Sequence, residues 1–174
     1  MSLAGTQFEK ERSHREIPTR RQTVETVMNS QSNVLNELIE ITRDGEHFYR
    51  HAEVEVQAPW LKSVFHDMAE TKARLLQALA LKVAEEHEHP AEGGTLSGAL
   101  RQFYADAKAR LSRDGDAAYV AELESTEDRL LQAFEEALLE AGHEERAVLE
   151  AEIPSVRACH ERMRELKRSV NQGV

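Results

Sequence analysis

The chain has one cysteine, Cys159, in 174 residues. That excludes an intrachain disulfide and fits a reducing compartment, so a cytoplasmic protein is expected. It has only four prolines, eight glycines and 5% aromatic residues, against 40% hydrophobic and 31% charged residues. So few breakers among so many helix formers indicate an all-α protein. No apolar run approaches the length of a membrane span, and the N-terminus has no apolar signal core. Excess positive charge is also missing. The net charge is −10, which repels nucleic acid unless a basic patch is set apart. The one candidate patch, RSHREIPTRR from Arg12 to Arg21, is short and contains an acid, so no nucleic-acid partner is expected. A phosphate loop, zinc spacing and a nucleophile elbow are all absent. His87-Glu88-His89-Pro90 reads as a charged helix end stopped by proline rather than a metal motif.

What is present is hydrophobic periodicity. The length suits one domain with a real core. Residues 1–30 are polar and read as an N-terminal extension. Residues 31–172 read as the bundle. A first helix is expected from about Val34 to Val56, capped by Ser32 or Asn33. Its stripe is Leu35, Leu38, Ile39, Thr42, Glu46, Tyr49 and Ala52 or Glu53. A second starts at Pro59, a favourable first helical position, and runs to about Glu88. Its stripe is Leu61, Val64, Phe65, Met68, Lys72, Leu75 and Leu79. The connection from Pro90 to about Asp116 holds a helical piece, Thr95 to Leu111, and SRDGD reads as a turn. A third helix runs from about Asp116 to a C-terminal cap at Gly142, with Leu123, Glu127, Leu130, Phe134, Ala137 and Ala141 on one face. A fourth runs from about Glu144 to Val170, with Leu149, Ile153, Val156, His160, Met163 and Lys167 on one face and a kink expected at Pro154. Short links within each pair and a long connection between pairs predict two antiparallel hairpins joined by a crossover that contains a short helix.

Each long stripe is interrupted by a polar residue: Glu46, Lys72, Glu127 and His160. Four such residues at similar heights form a constellation, and a di-iron bundle is built from carboxylates and histidines arranged in this way. Phe103, Tyr104 and Trp60 are candidate contacts for a partner helix, with ordinary packing as the competing reading. Cys159 reads as a small buried side chain. His47, His51 and His66 are expected to point outward.

Around these positions, NVLNELIEITRDGEHFYRHAE, LKSVFHDMAETKARLLQAL, ELESTEDRLLQAFEEAL and VRACHERMRELK resemble the rubrerythrin and ferritin-like superfamily. The likeness is closest to a bacterial branch grouped as a domain of unknown function, and it spans about residues 33–170. It implies a ferritin-like four-helix bundle. Glu46 and Glu127 match the carboxylate ligands of helices one and three. The Glu-x-x-His pair of helix two falls on Lys72 and Leu75, and that of helix four on Arg157 and His160. Cations thus stand where bridging carboxylates belong. The expected core is a buried ion-pair network of Glu46, Lys72, Glu127, Arg157 and His160, with no cofactor and no catalytic residue, in a non-enzymatic protein. The alternative is an iron or manganese protein with oxygen or peroxide chemistry, its ligands Glu46, Glu127 and His160, possibly joined by Glu53. A third reading is a helical interaction module. A homodimer formed through helices one and two, and a role in stress, are further implications of the resemblance alone.

Overall fold

The computed structural model describes the backbone of residues 20–85, 89–93 and 97–172. Within these it describes the side chains of residues 34–85, 89–93 and 115–172. The described residues form four helices and no strand: α1 Arg20–Glu55, α2 Pro59–Glu85, α3 Ser97–Glu140 and α4 His143–Asn171. None is long and apolar enough to cross a membrane.

Three boundaries differ from expectation. α1 begins at Arg20 rather than near Val34 and runs through Ser32 and Asn33, so neither caps it. α3 is one helix from Ser97 to Glu140 and passes straight through SRDGD. A single glycine in a helix costs about 1 kcal/mol, which the surrounding helix formers absorb. Asp116 does not turn its own chain. Its carboxylate instead accepts the backbone N–H groups of Gln57 (2.8 Å) and Ala58 (2.9 Å), in the link between α1 and α2. That link leads into Pro59, the expected first residue of α2, so Asp116 supplies from another helix the acceptors for the two N–H groups just ahead of α2. Gly142 is the third case. Its φ of −66° is not left-handed, and it stands at the N-cap of α4, its carbonyl accepting from Arg146 N–H at 3.0 Å. Glu144 and Glu145 in the first turn of α4 and Arg168 in the last suit the helix dipole. Pro154 sits within α4, exposed to solvent, and the helix continues through it.

α1 packs on α2, α3 on α4, α1 on α3 and α2 on α4. α2 and α3 therefore face each other across a diagonal. The core has two apolar clusters. One joins Phe48, Tyr49 and Val56 of α1 to Leu61 and Phe65 of α2, Tyr119 and Leu123 of α3, and Met163 of α4. The other joins Leu35 and Leu38 to Leu79 and Val83, Phe134, and Leu149 and Ile153. Following each chain from one cluster to the other, α1 and α4 run one way and α2 and α3 the opposite way. Every packed pair is thus antiparallel. The segment after α2 begins its return along α1. Asn36 donates to His89 O (3.3 Å) and accepts from Ala91 N–H (2.7 Å), and Arg43 donates to the carbonyls of Ala91 and Gly93.

Candidate functional site

Between the two clusters the helices place polar residues: Thr42 on α1, Lys72 on α2, and Thr126 and Glu127 on α3, all buried. The threonines are satisfied within their own helices, Thr42 Oγ1 donating to Leu38 O (2.6 Å) and Thr126 Oγ1 to Glu122 O (3.0 Å). Among the described residues, Lys72 pairs with Glu127, and Glu127 also accepts from Tyr49. Lys72 Nζ donates to Glu127 Oε2 at 2.7 Å, with the side chains 1% and 0% exposed. Tyr49 Oη donates to Glu127 Oε1 at 2.8 Å. The carboxylate thus receives a charge-assisted bond on one oxygen and a phenol on the other, which a buried acceptor requires. Tyr49 is held by Phe65, their ring centroids 5.9 Å apart. Burial first, then the negative charge of Glu127, pushes the Tyr49 phenol well above its ordinary value.

α4 adds Cys159 to this layer. Burial raises its thiol above the ordinary value, the positive charge of Lys72 pulls it back, and Glu127 raises it again. A thiol held protonated this way is a packing group, not a nucleophile.

The remaining expected members of the network lie elsewhere. Glu46 sits on the shoulder of α1, its side chain 20% exposed, and pairs with Arg50 at 3.4 Å. Arg50 also reaches Glu70 of α2 at 2.6 Å. That hydrogen bond pulls the Glu70 carboxyl below its ordinary value. Arg157 is exposed and meets Glu135 at 3.1 Å. His160 contacts Asp128 at 2.6 Å across the α3–α4 surface. Glu53 faces His66 at 3.1 Å. So the structure brings Lys72 and Glu127 together, but not Glu46, Arg157 or His160 with them. The reason is angular. Glu46 and Arg157 flank their apolar stripes, and a long side chain on a shoulder reaches water and a nearer counter-ion more cheaply than the core.

The same geometry tests the metal reading. Glu46, Glu127 and His160 engage three different partners, and among the described residues no group of three or more His, Cys, Asp or Glu could hold a metal ion. A dication at Glu127 would also face the Lys72 ammonium. That repulsion is about 4 kcal/mol per unit charge at about 4 Å and an effective dielectric of about 20. As placed, Glu46, Glu127 and His160 do not converge on one ion.

Tyr49 stood in the expected stripe of α1, but sequence reasoning gave it no role. The available signal was an unpaired hydroxyl one turn from Glu46, in a row facing Glu127, because a buried tyrosine needs an acceptor. Trp60 is 49% exposed. Phe103 and Tyr104 lie outside the described side chains.

Fold and site together define an all-helical protein, four helices around a buried lysine–glutamate–tyrosine layer. The chain belongs to a family described as a domain of unknown function, DUF2383, whose model matches residues 30–140. That span includes Tyr49, Lys72 and Glu127 and stops short of α4. Comparison with curated proteins and with solved structures finds no match.

Proposed function

We propose that the protein is a ferritin-like bundle in which an internal ion pair does the work of a metal centre, and that it acts without metal as a non-enzymatic structural or scaffolding protein. The observation that carries this reading is Glu127, whose two oxygens are both occupied, by Lys72 Nζ and Tyr49 Oη. In a metal-binding bundle the inward carboxylates repel one another until cations neutralise them. Here a side chain supplies the positive charge. The antiparallel pairing of every packed helix pair, and the return of the chain along α1 after α2, support the ferritin-like assignment.

The test is metal content per chain after growth in iron- and manganese-supplemented medium. Far less than one equivalent is expected in the wild type, with no dependence on Glu127. One or two equivalents in the wild type, lost in Glu127→Ala, would overturn the reading. The same reading carries a homodimer through α1 and α2, whose hairpin exposes Val54, Trp60 and Leu81. Sedimentation equilibrium checks it, a mass of twice 19.7 kDa being expected.

A further inference from the structure

A groove of about 200 Å³ lies between α1 and α3 at the end of the bundle where Val34 stands. Its floor is Leu38 and Ala137, both buried, with Val34 and Ala133 half-buried beside them. Ala133 and Ala137 are one turn apart on α3 and leave room that longer side chains would fill. The rest of the lining is acidic: Glu37 on α1, and Glu136 and Glu140 on α3, all exposed. Gln132 donates to Glu136 Oε1 at 2.8 Å and steadies that carboxylate. Among the described residues none of the three carboxylates is in an ion pair. Arg129, one turn before Ala133, meets Glu122 at 3.9 Å instead. The groove belongs to the second apolar cluster and shares no residue with the Lys72–Glu127–Tyr49 layer.

A rim of one sign over an apolar floor selects for an occupant that carries several cations on an apolar chain. The volume decides how large it is. Sites that enclose a drug-sized ligand hold about 300–1,000 Å³, so this groove is too small for a helix or a folded partner and suits one unbranched chain. The spacing decides where its charges fall. Glu136 and Glu140 stand at i and i+4, about 5–6 Å apart at Cβ, which is about the reach of three or four methylenes between two amines. Glu37 faces them from α1. We propose that the groove binds a linear aliphatic polyamine. Its methylenes lie on Leu38, Ala137 and Val34, and its ammonium groups meet Glu136, Glu140 and Glu37. The methylenes leave water while each ammonium stays half-hydrated at the rim, so no charge is stranded. The net charge of −10 draws any cation toward the chain, but such a field does not choose a place. The apolar floor chooses it.

Titration calorimetry of the full-length chain with spermidine, in about 0.1 M salt to screen distant charges, tests this. Saturable binding at a single site per chain is expected. Glu136→Gln/Glu140→Gln should weaken it about tenfold. Glu150→Gln/Glu165→Gln removes two charges from the exposed face of α4 and should leave the affinity within about twofold. Ala133→Leu fills the groove without touching a charge and should also weaken binding about tenfold, with the far-ultraviolet circular dichroism unchanged. Equal losses in the two charge variants would overturn the proposal, by showing a diffuse field rather than a site. So would an Ala133→Leu chain that binds as tightly as the wild type, or no saturable binding at all. Magnesium that displaces spermidine at equal charge would overturn it by showing that the methylenes contribute nothing. A lysine-rich peptide that binds the groove more tightly than spermidine would overturn it in favour of a protein partner.

Discussion

Replacing Lys72 with methionine keeps most of the side-chain volume and removes only the charge. Glu127, fully buried, then keeps the Tyr49 phenol but loses its counter-ion. Breaking a buried ion pair by removing one partner costs about 3–5 kcal/mol, most of it the desolvation of the charge left behind. With a urea slope of about 2 kcal/mol per molar, the unfolding midpoint should fall by about 2 M. The companion variant Lys72→Met/Glu127→Gln removes both charges and leaves the phenol an amide oxygen. It should recover most of the loss, because replacing both members of a buried pair is often neutral. Urea titrations of the wild type and both variants decide the matter. If Lys72→Met unfolds within about 0.5 kcal/mol of the wild type, the pair does not hold the core. If the double variant is as unstable as the single one, the damage is packing rather than charge.

A Cβ at Gly45 would lie 3.7 Å from Thr126 Cγ2, an ordinary contact, so Gly45→Ala should stabilise α1 by about 0.5–1 kcal/mol and raise the midpoint of thermal unfolding. Asp116→Ala leaves two N–H groups of the α1–α2 link without acceptors and should cost about 1–2 kcal/mol in urea titrations, whereas Asp116→Asn should keep part of that stability. The Tyr49 phenol, raised by burial, contributes stability that is complete below about pH 10, its unfolded value, and is lost as pH rises above it. Ultraviolet difference spectra should show this phenol ionising only together with alkaline unfolding, a component absent in Tyr49→Phe.

The sequence made the helical class and most of the core legible because each stripe has one dominant period. On α2 the stripe residues Leu61, Phe65, Met68, Lys72, Leu75 and Leu79 are buried as spacing predicts, while Val64 is half-buried and Ala69 and Val83 are buried in addition. Glu127 was legible for the same reason. What failed depended on partners that a one-dimensional pattern does not contain. SRDGD looks like a turn because Asp and Gly usually act on their own chain, but Asp116 spends its carboxylate on a link 58 positions away. Gly142 was expected to cap the end of α3, yet its backbone is extended and it stands at the N-cap of α4. Glu46 was read within its stripe and Arg157 beside its own, and angular position at about 100° per residue does not separate a shoulder from a core site for a long side chain. Arg50, one turn from Glu46, and Glu135, across from Arg157, decided those two cases. Tyr49 went unnoticed because an aromatic in an apolar row needs no explanation until its hydroxyl must be satisfied.

The bond between Lys72 and Glu127 joins α2 to α3, the helices that stand across the diagonal. The apolar clusters on either side are made largely of interchangeable Leu, Val, Ala and Phe contacts, which would tolerate one helix sliding along another by a turn of about 5.4 Å. The ion pair would not. Any such slip sets the ammonium and the carboxylate against aliphatic neighbours, each without its counter-charge. The pair can therefore add little to the depth of the native well and still select it from its near copies, much as a single polar residue fixes the alignment of a coiled coil.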